Sequence, residues 1–461
     1  MLFSSIPFLY YFFPAVLIIY FAVPRAFKNA VLLLASLIFY GWGEPVYLLL
    51  MVSTIALFYI CGLLIGKHEG DRKKQKLWLT VSVAVSLAFL GIFKYADFFI
   101  DSFNAVTGLG IPFLRLALPI GISFYTFQCL SYTIDVYRGN VPAQKNPITF
   151  GAYVALFPQL IAGPIVRYVD VVRELETRTH TWDDFAQGMR RFLIGLAKKV
   201  IIADNFALLM RIYEDSANHS VLFSWMYAIA FMMNIYFDFS GYSCMAIGMG
   251  RMLGFRFIEN FNYPYISASI QEFWRRWHMS LGSWFRDYVY IPLGGNRVSK
   301  GRWVFNTLAV WMLTGLWHGA SWNFVLWGLM FAVLLMIEKW VPALKKLPGA
   351  VKHFYVLFLV LISFVIFNHA DYSAITVLGE MFGLKGLSAV NADTLYYLRS
   401  FAPLFIAAFI GATPVVKTLA AKVGQTKAGA VLEILLMAAL LIVCTAYLVD
   451  GSFSPFLYFR F

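Results

Sequence analysis

Two histidines, a run of arginines and several tryptophans lie between Glu272 and Asn323, in a chain that is otherwise mostly hydrocarbon. The segment reads Glu272-Phe-Trp-Arg-Arg-Trp-His278, then Trp284-Phe-Arg-Asp-Tyr-Val-Tyr-Ile-Pro-Leu-Gly-Gly-Asn-Arg297, then Leu316-Trp-His318-Gly. Imidazole is the side chain best matched to taking a proton from a hydroxyl near neutral pH. His318 is the first candidate for that work. The apolar run from Val310 to Trp322 holds no other ionisable group, and Gly315 and Gly319 let a backbone or a substrate approach closely. A single histidine on an apolar helix can equally be a satisfied hydrogen-bonding residue, and the residues by themselves leave both roles open.

His278 follows Trp274-Arg275-Arg276-Trp277, a pattern that also suits an interfacial anchor, with tryptophan at headgroup level and arginine reaching phosphates. From Glu272 to Arg302, six Lys and Arg stand against two acids, a balance that suits an anionic substrate and would attract lipid headgroups as well. Tyr236-Phe-Asp-Phe-Ser-Gly-Tyr242 carries Asp238 to membrane depth, where it could orient a histidine or cap a helix. Trp317 is the aromatic neighbour that could orient His318. His68, His180 and His219 fall in polar loops, and His353 and His369 flank an apolar helix. No glycine-rich phosphate loop, nucleophile elbow or acidic metal cluster is present, and no structural metal is expected.

The elements that must position these groups are membrane helices. Of 461 residues, 61% are hydrophobic and 13% charged, against about 45–50% and 25% in soluble domains. An ionised side chain at the centre of a span costs about 2.5–3.5 kcal/mol, so intramembrane charges tend to mark function. Apolar stretches of the length needed to cross the hydrocarbon core predict an all-α polytopic fold. It has about 11–13 crossings plus re-entrant or interfacial helices, with separate centres near Ala230 and Ile247. The net charge of +13 gathers in short segments and reads as topology rather than as nucleic-acid binding. Arg251 to Arg302, Lys339 to Lys352 and Lys417 to Lys427 are assigned to the cytoplasmic side. The Gly43-Glu44-Pro45 turn and the tail after Leu448 are assigned outside.

The chain divides into an N-terminal bundle (1–137), a motif-rich core (150–340) and C-terminal helices (341–461), all within one integral membrane domain. Its N-terminus lacks the basic region and cleavage site of a signal peptide, so the first apolar run is expected to stay as a helix. Cys61, Cys129, Cys244 and Cys444 sit apart in apolar runs with neither disulfide nor metal-site spacing. No internal repeat of the transporter type is visible. Breaks such as Ile161-Ala-Gly-Pro-Ile165 and Ile291-Pro-Leu-Gly-Gly295 are tolerated at depth where protein or a water-filled cavity covers the freed backbone. They predict a lined tunnel.

Leu118-Pro-Ile-Gly-Ile-Ser-Phe-Tyr-Thr-Phe127, Ile134-Asp-Val-Tyr-Arg-Gly139, Leu160-Ile-Ala-Gly-Pro164, Tyr236 to Tyr242, Glu272 to His278 and Trp317-His-Gly319 together resemble the membrane-bound O-acyltransferase family. The nearest branch is that of the bacterial cell-envelope polysaccharide O-acetyltransferases. The resemblance implies a ring of helices around a thin centre, pierced by a tunnel from a cytosolic donor to an acceptor on the other face. It assigns His318 as the family's catalytic histidine and His278 as the second histidine of the branch. The element Tyr290 to Arg297 favours polysaccharide O-acetylation over D-alanyl transfer.

On this reading no cofactor is held permanently, and the donor is an acyl thioester such as acetyl-CoA. Arg275, Arg276, Arg286, Asn296 and Arg297 bind the donor, with Asp238 and Trp317 as orienting residues. The acceptor is a cell-envelope polysaccharide, reached directly or through an extracytoplasmic SGNH-type partner, and the setting is the bacterial cell membrane. The aromatic tail Phe453 to Phe461 resembles the tyrosine-bearing C-termini of this branch, and Tyr458 is expected to relay the acyl group. The alternatives are a D-alanyl or lipid O-acyltransferase of the same family, or a non-catalytic acyl-group transporter.

Overall fold

The computed structural model describes residues 1–160, 163–369 and 373–451. The described elements are helical throughout, without strands. Among them, eight helices are long and apolar enough to cross a membrane, and a shorter apolar helix covers Phe8–Ala22. The expectation of 11–13 crossings differs for identifiable reasons. The centres placed near Ala230 and Ile247 belong to one continuous helix of 32 residues, Val221–Met252. The stretch around Leu156 breaks into the short helices Pro147–Ala155 and Phe157–Leu160. The stretch around Leu196 ends in a π-helical turn at Lys198–Ala203.

The chain forms two compact units, 1–192 with 245–258, and 193–244 with 259–461. In the first unit the motif helix Ile122–Arg138 is buried over almost its whole length. Its Tyr132 packs against Phe150 at 4.6 Å and Tyr168 at 5.0 Å between ring centroids. The helix Leu48–Lys67 approaches so closely that a Cβ on Gly62 would lie 2.4 Å from the Tyr132 ring. The Ile134 to Gly139 motif closes this helix: Gly139 takes a left-handed φ of 76°, and Asn140 Nδ2 donates to Asp135 Oδ1 at 3.0 Å. Both motifs are packing and capping devices.

In the second unit, an aromatic core forms around the Val221–Cys244 part of the long helix, with Phe273, Trp277, Phe324, Trp327 and Phe364 among its buried members. Lys300–His318 and Trp322–Trp340 make a tight helical hairpin. A Cβ on Gly315 would stand 2.2 Å from the Phe324 carbonyl oxygen, and one on Gly328 would stand 2.2 Å from that of Trp311. Two glycines facing backbone in this way allow the close helix contact that small residues provide in membranes. The hairpin fixes where the last residue of its first helix, His318, must sit.

Candidate functional site

His318 ends the helix Lys300–His318 and is 4% exposed. Rings of Trp317, Trp327 and Phe367 stand around its imidazole at 5.0, 5.1 and 5.3 Å, all nearly edge to face. Such contacts confine a ring through shape. Trp317 therefore packs against His318.

His278 stands between two short helices, Ile270–Arg276 and Met279–Phe285, in the left-handed region at φ 44°. A non-glycine residue held there costs about 1–3 kcal/mol and persists only where its surroundings impose it. Nearly everything around it does. Met279 N donates to the Asn260 carbonyl at 3.0 Å. Asn260 Oδ1 lies 3.1 Å from His278 Nδ1 and accepts from Ser280 N at 3.2 Å and Ser280 Oγ at 2.9 Å. His278 is 2% exposed, with Phe239 edge-on at 4.7 Å. Burial holds its pKa at about 3, so it is neutral near neutral pH. Trp317 touches both sites, with its ring 5.7 Å from that of His278.

A cavity of about 1240 Å³ opens beside His278, larger than the roughly 300–1,000 Å³ of most small-molecule sites. One wall is a single face of Lys300–His318: Trp303, Thr307, Val310, Trp311 and Thr314. At helical spacing the next position on that face is His318. Lys339 Nζ lies 3.5 Å over the Trp303 ring, and Arg275, Arg286, Lys345 and Lys352 add further cations to a lining that also holds Glu272 and Glu338. Trp303 and Thr314 are about 16 Å apart along the helix at 1.5 Å per residue. The cavity is thus long, richer in cations than in acids, aromatic along its walls and histidine-bearing.

The candidate donor residues separate here. Arg275, Arg286 and Asn296 line the cavity, whereas Arg276 and Arg297 do not. Arg276 is paired with Glu272 at 2.9 Å and donates to the Asn262 carbonyl at 3.1 Å, bracing the approach to His278. Arg286 also meets Asp287 at 2.7 Å. Asn296 Oδ1 accepts from Trp303 Nε1 at 3.1 Å, in a turn made possible by Gly294 at φ 108° and Gly295 at φ 56°. Asp238 lies elsewhere. Lys199 Nζ reaches Asp238 at 3.0 Å and Asp204 at 2.7 Å in a cluster where no member is more than 7% exposed. Asp238 therefore holds a buried lysine. Tyr458 lies outside the described residues.

Sequence reasoning did not single out Asn260, Glu338 or Lys199. Glu338, near the end of Trp322–Trp340, accepts from Ile270 N at 2.6 Å and Gln271 N at 3.0 Å, so the hairpin caps the helix that leads to His278. An acid inside a hydrophobic run was the available signal. Asn260, within Glu259-Asn-Phe-Asn262, gave none.

The membrane-bound O-acyltransferase family matches residues 141–370. A probable alginate O-acetylase AlgI of Pseudomonas putida is 42% identical over the whole of both chains. The protein of that name from Pseudomonas aeruginosa is 45% identical over 87% of this chain and 78% of its own. A peptidoglycan O-acetyltransferase of Helicobacter pylori is 35% identical over 84% of this chain and 81% of its own. With both histidines buried inside the matched region, and relatives aligned over most of their lengths, the chain belongs to the membrane-bound O-acyltransferase family.

Proposed function

We propose that this O-acyltransferase takes an acetyl group from a cytosolic thioester, acetyl-CoA or a carrier-borne equivalent, and delivers it for O-acetylation of a cell-envelope polysaccharide. The observation that carries the reading is the long cavity of the second unit. Its cations suit the phosphates of the donor, and its aromatic walls suit a thin apolar arm. The two histidines supply the polar groups at the point of transfer. The cations come from two segments, Arg251 to Arg302 and Lys339 to Lys352, that charge bias assigns to the same cytoplasmic side. The names of the relatives supply the acceptor class.

In the proposed step His318 takes the proton of the acceptor hydroxyl as its oxygen attacks the thioester carbonyl. The carbon–sulfur bond breaks, and the proton passes to the departing thiolate. The reaction is therefore proton-neutral. His278, neutral and facing the donor, accepts a hydrogen bond from it and fixes its position. Acceptance of the acetyl group first by Tyr458, as a phenol ester with a leaving group of pKa about 10, belongs to the same proposal. So does a last transfer by an SGNH-type partner.

The test is purified protein in lipid nanodiscs given acetyl-CoA labelled in the acetyl group, with and without alginate oligosaccharides or peptidoglycan fragments. Label in the glycan, with equimolar release of free CoA, is the expected result. Label recovered only in the lipid extract, or intact acetyl-CoA after prolonged incubation with every acceptor, would overturn it.

A further inference from the structure

The hydrogen bonds around Asn260 decide a question of proton placement that coordinates usually leave open. At ordinary resolution an asparagine amide can be turned either way, and a histidine tautomer is assigned from its neighbours. Here one neighbour is unambiguous. The backbone N–H of Ser280 can only donate, and it points at the Asn260 side chain from 3.2 Å. The atom it meets must be Oδ1, because an NH₂ there would set donor against donor. His278 Nδ1, 3.1 Å from that same oxygen, must then carry a hydrogen and donate it. A neutral imidazole with Nδ1–H has its lone pair on Nε2.

We infer that Asn260 is a positioning residue for acyl transfer, which holds His278 as the Nδ1–H tautomer and so keeps the Nε2 lone pair as a hydrogen-bond acceptor for the donor substrate. The inference rests on the proposed function, since it assigns His278 to the donor.

A second observation explains the use of an amide. Asn260 is fully buried, and its Nδ2 makes no hydrogen bond among the described residues. The side chain is therefore used for its oxygen. A carboxylate of the same shape would accept the same three hydrogen bonds more strongly, and a charged acceptor roughly doubles the strength of such bonds. What an amide avoids is the negative charge, which would favour a positive ring at His278. An imidazolium has hydrogens on both nitrogens and accepts nothing. Burial alone accounts for the low pKa of His278, with no charged group contributing to the shift. The charged and titratable side chains on the elements packed around it are Glu272, Arg275 and Arg276 on the preceding helix, Asp238 and Arg251 on the helix of Phe239, Glu259 beside Asn260, and Lys300, Arg302 and His318 on the helix of Trp317. The left-handed backbone at His278 fits the same account: Asn260 ties down the three consecutive residues His278, Met279 and Ser280 through its side chain and its carbonyl.

The experiment is a pH profile of kcat/KM for acetyl-CoA, measured in nanodiscs on wild type, Asn260→Asp, Asn260→Leu and His278→Ala. Asn260→Asp preserves shape and all three accepted bonds, so it should fold. It should raise the pKa of His278, and activity should fall as pH drops through that raised value, adding a limb to the one that protonation of the general base His318 gives wild type. Asn260→Leu frees the tautomer and should lower kcat/KM for the donor by roughly tenfold at every pH, the scale of one hydrogen bond lost in the productive complex. If Asn260→Asp folds and its profile superimposes on that of wild type while His278→Ala is impaired, the tautomer role is wrong and the donor role of His278 stands. If His278→Ala is itself unimpaired, the assignment of His278 to the donor fails and this inference falls with it.

Discussion

His278 and His318 both meet Trp317, yet their surroundings differ in kind. Around His278 the determining contacts are dipolar: an amide oxygen shared by three donors, a strained backbone fixed from both sides, and a helix start capped by Glu338. Around His318 three aromatic rings are packed at the end of a glycine-crossed hairpin. On this contrast we propose proton transfer at His318 and donor alignment at His278.

The largest effect should come from His318. His318→Ala removes the proposed general base and should lower kcat by about 10²–10⁴-fold, measured on protein that is still folded. Retention of a tenth of the wild-type rate would reverse the assignment of the two histidines.

Next is the buried charge cluster, which tests whether Asp238 belongs to the chemistry. Lys199→Met leaves Asp204 and Asp238 together without their cation and should cost about 3–5 kcal/mol of stability, read as lost yield of folded protein. Asp238→Asn keeps the Lys199–Asp204 contact and should be milder, with the remaining folded protein as active as wild type. Loss of kcat in folded Asp238→Asn would return Asp238 to the site.

A smaller effect separates the adjacent arginines. Arg275→Gln, in the cavity wall, should weaken acetyl-CoA binding several-fold at low salt, with the difference shrinking as ionic strength rises. Arg276→Gln should lower thermal stability and leave salt-dependent binding intact, because Arg276 is already paired with Glu272. Equal effects of the two on binding would mean that the cavity does not hold the donor's phosphates.

Much of this was legible in the residues. The two histidines, the membrane setting and the family follow from side-chain types and motifs, because an ionisable group in an apolar run stands out against its background. Arg275 and Arg276 could not be told apart, since adjacent residues on a helix face different ways and only the fold shows which direction meets the cavity. The ion pair of Asp238 was hidden for a related reason. Its partner, Lys199, lies on a π-helical turn 39 positions earlier, and nothing in the local sequence of either residue points to the other. Asn260 was invisible, since a buried asparagine that fixes a tautomer looks like any polar residue in a loop. Merging the spans at Ala230 and Ile247 needed the core itself: hydropathy dips around Asp238 and Ser240, and burial in aromatic packing is what lets one helix continue through the dip.

The most direct test is a titration of purified protein with acetyl-CoA, comparing dissociation constants for wild type, His318→Ala and His278→Ala. The account predicts that His318→Ala binds acetyl-CoA as tightly as wild type and that His278→Ala binds it more weakly. Unchanged affinity in His278→Ala, or a loss confined to His318→Ala, would contradict it.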